Sequence, residues 1–383
     1  MVLPFASSPS PSSPHTPAAA RCGQPHGIRQ ATPGHDAPLP HKQIGIGIIG
    51  CGRIGRLHAH NISRHVSKAR LVGLADPFIE KGDMEWVREL GSPLTYTDYR
   101  DLLAHPDVDA VFICSPTTTH AEYLIEAATL GKHVFCEKPI DLRIERTEEA
   151  LTVAREAGIV LQVGFNRRFD PSFANVRERC KAGEIGQIDI IKITSRDPEP
   201  PPIMYIEQSG GIFVDMSIHD IDMCRYIAGS EVTAVQAAGS VRADAAIGEA
   251  GDVDTAVLML FFENGAMAVI DNSRQACYGY DQRIEVFGRL GMLRAENDTP
   301  TRVESFTGAG WQADKPHWYF PQRFERAFVR EVEAFVDSVE RRAAPMVGGE
   351  DGLAALLIAQ AANQALRLQR RVVIDEIMEQ KAA

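Results

Sequence analysis

The feature of this chain that most restricts its fold is a short apolar run that ends in closely spaced glycines. Residues 44–49 read IGIGII, and Gly50, Gly52 and Gly55 follow in the spacing G-x-G-x-x-G. A β-branched run of this length is typical of a buried parallel strand, and the next stretch, RIGRLHAHNISRH, predicts a helix. A strand, a glycine turn and a helix in this order favour a dinucleotide-binding fold, with the helix N-terminus facing the pyrophosphate.

The residues around this turn also predict which dinucleotide binds. The second predicted strand, RLVGLADP, ends in Asp76, 21 residues after Gly55. A carboxylate there accepts hydrogen bonds from the ribose hydroxyls of NAD and repels the 2′-phosphate of NADP. Arg53 and Ile54 complete the predicted cofactor loop, and because Arg53 could meet a phosphate, NADP stays an alternative. NAD is therefore favoured over NADP. The alternative to a cofactor site is a glycine turn with a purely structural role.

The order of the remaining elements predicts two domains. Strands and helices alternate through residue 163, which indicates an α/β domain with a Rossmann-type, doubly wound parallel sheet. From about residue 187, consecutive strands with short connections indicate an α+β domain with an open, mostly antiparallel sheet. We therefore expect a dinucleotide-binding domain at 41–163 and a substrate and oligomerisation domain at 164–383, with the late amphipathic helices packing back on the first.

Residues 1–40 differ from the rest of the chain in composition. They are rich in Ser, Pro and Ala and show no hydrophobic periodicity. Such a segment cannot bury enough apolar surface to offset the entropy of ordering it, so a disordered tail is predicted. A start codon assigned too far upstream, or a Ser-rich transit peptide, would give a similar segment.

Charge and cysteine usage narrow the class of partner. The formal net charge is −11 and the pI is near 5.6, which argues against nucleic acid and anionic membranes as partners. The apolar stretches are shorter than the ~20 residues that a membrane helix needs. The seven cysteines include no CxxC pair, which favours reduced thiols in a cytoplasmic protein over disulfides or structural zinc.

Two further motifs follow predicted strands at the carboxyl edge of the parallel sheet, where ligands of such sheets bind. In FICSPTTTH the predicted cofactor contacts are Ser115, Pro116, Thr117 and His120. Capping of the next helix by the threonines is the alternative interpretation of that motif.

The second of these motifs, CEKP, carries Glu137 and Lys138. The proline peptide bond after Lys138 can adopt the cis form at modest cost, which would turn the lysine side chain sharply. A surface turn is the alternative, but the strand end points into the same crevice as the dinucleotide. Glu137 is therefore predicted to contact the cofactor, and Lys138 is predicted to point into the crevice where the reaction takes place.

The segment GGIFVDMSIHDIDM places charged residues in an apolar run, which costs free energy unless they are paired, solvated or used. Asp215 and His219 are four residues apart, a spacing that puts both on one face of an α-helix. A histidine titrates near neutral pH and can accept a hydroxyl proton. A helix cap with a core histidine is the alternative. Asp220 and Asp222 point to other faces, so no metal site is predicted.

Taken together, GCGRIGRLHA, SPTTTHAEY, GKHVFCEKP and GGIFVDMSIHDIDM resemble the Gfo/Idh/MocA family of sugar oxidoreductases, from about Ile44 to about Val373. Within that family, FNRRFDP, SRDPEPPPIMYI and YGYDQRIEVFG are similar to enzymes that oxidise inositol at carbon 2. The resemblance implies NAD-dependent oxidation of myo-inositol, or of a related cyclitol, to the 2-keto inositol. A pyranose sugar such as glucose is the alternative substrate.

The same resemblance implies roles for individual residues. Lys138, Asp215 and His219 would form the catalytic group, with His219 as proton acceptor, Asp215 supporting an imidazolium, and Lys138 stabilising charge on oxygen. The implied substrate contacts are Arg168, Asp197, and Tyr278 or Tyr280. A structural ion pair between Arg168 and Asp170 is the alternative for that arginine.

The sequence also predicts catalytic activity and self-association. A dinucleotide-binding sensor without activity would not need Lys138, Asp215 and His219, so an enzyme is favoured. An open sheet with an exposed apolar face needs a partner, which predicts a homo-oligomer. The resemblance implies a tetramer.

Overall fold

The first half of the chain folds around a parallel sheet. The computed structural model describes residues 43–81 and 84–382, so the disordered tail predicted at 1–40 lies outside the described residues. Six parallel strands pair in the order β3-β2-β1-β4-β5-β6. They are β1 (Ile44–Ile49), β2 (Ala69–Ala75), β3 (Leu94–Tyr96), β4 (Ala110–Ile113), β5 (His133–Cys136) and β6 (Leu161–Val163). This order is that of the Rossmann fold, and the predicted fold class is confirmed.

Helices cover both faces of this sheet. The helices of the first half are α1 (Arg53–His65), α2 (Glu85–Glu89), α3 (Tyr99–Leu103), α4 (His120–Thr129), α5 (Ile144–Glu156) and α6 (Pro171–Lys181). Of these, α1, α3 and α4 contact the strands of the sheet directly, whereas α6 packs on elements of the second half. Helix α1 begins directly after Gly52, as the glycine spacing predicts. The three-residue strand β3 lies at one edge of the sheet.

The second half contains a seven-stranded sheet in the order β12-β11-β7-β10-β9-β8-β15. Its pairings are antiparallel except between β7 and β10, so the predicted open, mostly antiparallel sheet is confirmed. The strands are β7 (Ile188–Arg196), β8 (Val232–Ser240), β9 (Thr255–Phe262), β10 (Met267–Ser273), β11 (Asp281–Gly288), β12 (Gly291–Ala295) and β15 (Val372–Val373). Strands β13 (Glu304–Thr307) and β14 (Gly310–Ala313) form a separate hairpin.

The helices of the second half are α7 (Ile203–Ile206), α8 (Ile218–Ala228), α9 (Ala245–Glu249), α10 (Phe320–Arg323), α11 (Glu325–Arg341), α12 (Gly349–Leu368) and α13 (Ile374–Ala382). Helix α11 buries one apolar stripe, including Val332 and Phe335, against α1 and the parallel strands. Phe335 meets the stacked rings of Phe112 and Phe135 edge-on. Helix α12 packs on α5 and β6 as well as on α8 and β8. The domain boundary near residue 163 stays a prediction.

The helices and the cysteines of the described residues bear on the class of protein. Among 43–81 and 84–382, no helix combines the length and apolarity needed to cross a membrane. Six of the seven cysteines fall in this part of the chain, and all six are free thiols. The cytoplasmic location stays a prediction.

Candidate active site

The three glycines after β1 have different steric surroundings. Gly50 has a φ of 94°, and a Cβ there would lie 2.5 Å from the backbone nitrogen of Ser115. A Cβ on Gly55 would overlap the carbonyl oxygen of Gly50, so only glycine lets α1 pack this closely on the turn. Above Gly52 there is open space. The turn is therefore a cradle that a pyrophosphate fits, at the N-terminus of α1.

Asp76 is fixed beside this cradle by two backbone amides. Its carboxylate accepts hydrogen bonds from the N–H of Cys51 and from the N–H of Phe78, each at 2.8 Å. The carboxylate therefore stands at the end of β2 next to the glycine turn, and it keeps lone pairs for the hydroxyls of a ribose. The position and charge fit NAD.

Arg53 and Ile54 have different environments in the same turn. The Arg53 side chain is exposed and reaches the hydroxyl of Tyr319, and its guanidinium lies 5.0 Å from the centre of that ring. The Ile54 side chain is half-buried and packs against the core, so only its backbone faces the cradle. Tyr319 precedes α10, so a residue distant in sequence closes one side of the turn.

The turn after β4 is braced by its own side chains. The hydroxyls of Ser115 and Thr119 lie 2.7 Å apart, and the Thr119 hydroxyl donates to the Pro116 carbonyl. In the part of the chain that the structure describes, no side chain caps α4, so the capping interpretation does not hold. Ser115 and Thr117 are half-buried and Pro116 is exposed at this edge. The surface that they form remains available to a cofactor.

His120 does not offer a ring nitrogen to a cofactor. It is buried, and its Nδ1 and Nε2 lie 2.8 and 2.7 Å from the carbonyl oxygens of Pro139 and Ser115. The imidazole thus joins the turn after β4 to the turn after β5. The predicted cofactor contact of His120 is corrected to this bridging position.

The turn after β5 aims Lys138 at the second half of the chain. The Lys138–Pro139 peptide bond is cis, as the sequence allowed. The Lys138 Nζ donates a 2.6 Å hydrogen bond to the carbonyl oxygen of Asp215 and lies 3.7 Å from its Oδ1. The preceding Glu137 is half-buried, and its Oε1 lies 2.9 Å from the Nε2 of His58. Lys138 therefore reaches the segment that carries His219.

That segment is a helix that contains a π-helical turn, which the apolar pattern did not predict. Residues Phe213–Ser217 form a π-helical turn, and α8 begins only at Ile218. Asp215 and His219 both lie close enough to Lys138 for its charge to lower their pKa. Among the described residues, no hydrogen bond joins Asp215 to His219. The structure thus gives no contact for the expected support of an imidazolium by Asp215.

Asp215 is instead held by cations and a phenol. Its carboxylate accepts hydrogen bonds from the Tyr205 hydroxyl at 2.8 Å and from Arg274 at 3.0 Å. Burial raises the pKa of Asp215, but Lys138, Arg274 and the Tyr205 hydrogen bond outweigh burial and lower it overall. Asp215 is therefore an ionised anchor for Lys138.

His219 keeps the properties of a neutral base. It is half-buried, and its ring meets Phe165 edge-on with centroids 5.9 Å apart. Its Nδ1 is buried without a hydrogen-bond partner among the described residues. Burial, followed by the charges of Lys138 and Arg167, lowers the pKa of His219 well below its usual value. At neutral pH the imidazole can therefore accept a proton.

Asp197 follows β7 and faces the same crevice. Burial and the nearby charge of Asp215 raise its pKa to about 7, although Arg274 and Arg167 oppose the rise. Near neutral pH this side chain can both donate and accept a hydrogen bond. Tyr280 is buried nearby, and burial raises the pKa of its phenol in spite of Arg167. Asp197 and Tyr280 thus suit a ligand that carries several hydroxyls.

Two predicted substrate contacts lie elsewhere. Arg168 is buried and makes a paired contact to Asp222 at 2.8 and 2.5 Å, with a further contact to Asp351. Its predicted alternative partner, Asp170, accepts from Arg323 instead. Tyr278 donates to Asp281 at 2.6 Å and accepts from Arg196. Both are corrected, because their polar groups are used by these structural partners.

Arg167, not Arg168, is the arginine that faces the site. It contacts Asp220 and lies close enough to Asp197 and His219 to affect the pKa of both. Two further residues were missed, Arg274 and Tyr205, which hold Asp215. Asp220 and Asp222 are bound by the paired arginines. The sequence does show two adjacent arginines, whose side chains must point in different directions. It does not show which of the two faces the crevice.

A dinucleotide cradle that opens towards a lysine and a neutral histidine places this molecule among the nicotinamide-dependent oxidoreductases. Comparison with known proteins agrees with that class. A family model described as "Oxidoreductase family, NAD-binding Rossmann fold" matches residues 44–165, and one described as "GFO/IDH/MocA C-terminal domain" matches 173–294. The chain belongs to the Gfo/Idh/MocA family of oxidoreductases. The predicted family, enzyme class and NAD cofactor are confirmed.

Individual relatives match over nearly their whole length. The chain is 50% identical over 335 residues to the uncharacterized oxidoreductase YrbE of Bacillus subtilis (strain 168), covering 87% of this chain and 97% of that protein. It is 45% identical to the myo-inositol 2-dehydrogenase of Thermotoga maritima, covering 87% and 99%. A crystal structure of scyllo-inositol dehydrogenase from Lactobacillus casei with bound NAD(H) and scyllo-inositol superposes with a TM-score of 0.81 at 36% identity, covering 87% and 100%.

Proposed function

We propose that this protein oxidises myo-inositol, or a closely related cyclitol, to the 2-keto inositol with NAD. The observation that carries the proposal is the position of Lys138, which joins the cofactor side of the crevice to the segment of Asp215 and His219. Relatives named as myo-inositol and scyllo-inositol dehydrogenases support a cyclitol as the substrate. Asp197 and Tyr280 supply partners for additional ring hydroxyls.

The proposed chemistry divides between two side chains. His219, neutral because its pKa is lowered, accepts the proton of the hydroxyl that is oxidised. The Lys138 ammonium stabilises the negative charge that forms on that oxygen. NAD, when bound, supplies the hydride acceptor.

Asp215 acts on this chemistry through Lys138. Its carboxylate lies 3.7 Å from the Lys138 Nζ, and its carbonyl accepts the lysine hydrogen bond. Arg274 is almost fully buried and binds both Asp215 and Asp252, at 3.0 and 3.4 Å. Arg274 therefore holds Asp215 in place, and Asp215 in turn restricts the orientation of the Lys138 ammonium group.

Substrate identity is tested with purified protein, NAD and a panel of cyclitols and sugars. The proposal expects kcat/KM for myo-inositol, or for scyllo-inositol, to exceed that for glucose by at least tenfold. A preference for glucose would favour the pyranose alternative. Binding of NAD without reduction on any polyol would favour a sensor without activity.

The choice of NAD depends on the charge of Asp76. Asp76→Ser removes the carboxylate that would repel a 2′-phosphate, so NAD should bind more weakly and NADP relatively better. We expect the ratio of kcat/KM for NAD to that for NADP to fall at least tenfold, as measured by the absorbance of reduced cofactor. Asp98→Ser, on the exposed approach to α3, is the control. Wild-type protein that reduces NADP as well as NAD would contradict the assignment.

The homo-oligomer remains a proposal, with a second copy of the chain on the outer face of the seven-stranded sheet. That face exposes Val257, Met259, Met267 and Phe287 from three strands, an unusual density of apolar side chains for open sheet. Val257→Lys with Phe287→Lys places two charges there. We expect light scattering to show a tetramer for wild type and a smaller species for the variant. Val303→Lys, exposed outside this sheet, should change nothing, and an unchanged mass for the double variant would place the interface elsewhere.

A further inference from the structure

Behind the turn that carries Lys138 lies a buried cluster that the proposed chemistry does not use. It consists of His58 from α1, Glu137 from the turn after β5, and Glu331 from α11. The His58 Nε2 lies 2.9 Å from Glu137 Oε1 and 3.9 Å from Glu331 Oε1. His58 and Glu331 have no exposed surface. The cluster connects the helix of the cofactor cradle to the turn of Lys138.

The contacts indicate where the cluster holds a proton. Two ionised carboxylates within 4.8 Å of each other, away from water, repel each other strongly, so a proton beyond that of neutral His58 must reside in the cluster. Glu137 already has the His58 ring as a partner at 2.9 Å and is partly exposed, which leaves His58 and Glu331 as the sites for that proton. The Nδ1 of His58 is buried without a partner among the described residues, next to the rings of Phe112, Phe135 and Phe328. An imidazolium would bury an unpaired N–H there, which is costly. Neutral His58, with its Nε2–H donated to Glu137, avoids that cost.

Both oxygens of Glu331 also lack a hydrogen-bond partner among the described residues. An ionised carboxylate in that position would be far more costly than a neutral carboxyl group. A bound metal ion would satisfy these oxygens, but a metal-binding histidine normally donates its other nitrogen to a neighbouring acceptor, and the described residues offer none to the Nδ1 of His58. A proton on Glu331 therefore fits the contacts better.

We propose that Glu331 is a positioning residue that keeps the proton of this cluster, so that Glu137 carries its only negative charge and stays bound to His58. The inference rests on the function proposed above, because the position of Glu137 sets that of the adjacent Lys138. If Glu331 ionised, repulsion would push Glu137 towards the crevice. The Lys138 Nζ would then lose its 2.6 Å hydrogen bond to Asp215.

The electrostatic surroundings of Glu331 agree with this arrangement. Burial, followed by the charge of Glu137, raises the pKa of Glu331 well above its usual value. The titratable groups that face it are His58, Glu137 and the thiol of Cys114 at the end of β4. The unfolded chain releases this proton above about pH 4.3, whereas the folded chain keeps it. The free energy of unfolding should therefore fall as pH rises from there to the folded pKa.

Glu331→Gln tests the proposal in the full-length protein, because the amide keeps the shape and cannot ionise. We expect the melting temperature of E331Q to exceed that of wild type by a margin that grows between about pH 5 and about pH 9. Glu333→Gln, exposed on the same helix, should give a margin that does not change with pH. In difference infrared spectra at neutral pH, E331Q should lack the C=O stretch of one protonated carboxyl group.

The kinetic readout separates positioning from packing. Above the pKa of Glu331, wild-type kcat should fall by about tenfold for each pH unit, with little change in KM for the polyol, and E331Q should not show this fall. If E331Q does not fold, the carboxyl ¹³C chemical shifts of wild-type protein labelled at its glutamates provide the test instead. One glutamate should then remain protonated at neutral pH. Three results would each overturn the proposal. They are a melting-temperature difference between E331Q and wild type that does not change with pH, an ionised Glu331 at neutral pH, and a stoichiometric metal ion released by chelator. The melting and spectroscopic results do not depend on the substrate.

Discussion

Replacing His219 with alanine is expected to lower kcat on myo-inositol by roughly two to four orders of magnitude, because the hydroxyl proton loses its acceptor. NAD binding should change little, since His219 belongs to α8 and the glycine cradle lies at the N-terminus of α1. Steady-state kinetics and titration of NAD by protein fluorescence measure the two effects separately.

The matched control is His65→Ala, an exposed histidine at the far end of α1. It should leave kcat and NAD affinity unchanged. Retention of wild-type kcat by His219→Ala would mean that the proton goes to another group. The segment around His219 would then be a helix start with a core histidine and no role in the reaction.

Replacing Lys138 with alanine should be similarly severe, with a loss of kcat of about two to three orders of magnitude. The substitution removes the positive charge next to the developing oxyanion. It also leaves the Asp215 carboxylate with one cation fewer, since Lys138 and Arg274 are the cations that lower its pKa. We therefore expect the pKa of Asp215 to rise in this variant, which a shifted pH–rate profile would report.

Lys181→Ala, at the exposed end of α6, is the control for general loss of positive charge. Addition of a small primary amine to Lys138→Ala should restore part of the activity, because the amine can occupy the vacated position. A variant with near wild-type kcat would show that Lys138 only ties the two halves of the crevice together. Its melting temperature, and not its turnover, would then be the property that changes.

The cofactor side of the site could be predicted from sequence because its demands are local. Gly50, Gly52 and Gly55 follow one strand and open one helix, and a Cβ on Gly55 would overlap the carbonyl oxygen of Gly50 in the same turn. Asp76 could be placed by counting residues to the end of the next strand. The parallel strand order could likewise be predicted, because strands and helices alternate with buried apolar runs between them.

The substrate side depends on contacts that periodicity does not specify. A π-helical turn at Phe213–Ser217 cannot be read from an apolar pattern, so the pairing of Asp215 with His219 was assumed from regular helix geometry. Arg167 and Arg168 are adjacent, and only the packing of α8 below them decides which one faces the crevice. Arg274 reaches Asp215 because it follows β10, which packs against the π-helical turn of Asp215.

Tyr319 and Glu331 illustrate the same limit over a longer distance. Tyr319 contacts Arg53 across 266 positions of sequence, and Glu331 joins a histidine of α1 and a glutamate of the turn after β5. Neither residue stands in a motif. Their partners are set by the way α10 and α11 return to the parallel sheet, which sequence periodicity does not determine.

The proposed reaction transfers hydride from carbon 2 of a cyclitol to NAD in this crevice. Myo-inositol deuterated at carbon 2 can be incubated with wild-type protein and NAD, and the reduced cofactor analysed by mass spectrometry. The NADH formed should carry the deuterium. NADH without deuterium, or no NADH from myo-inositol under conditions in which a pyranose sugar reduces NAD, would contradict this transfer.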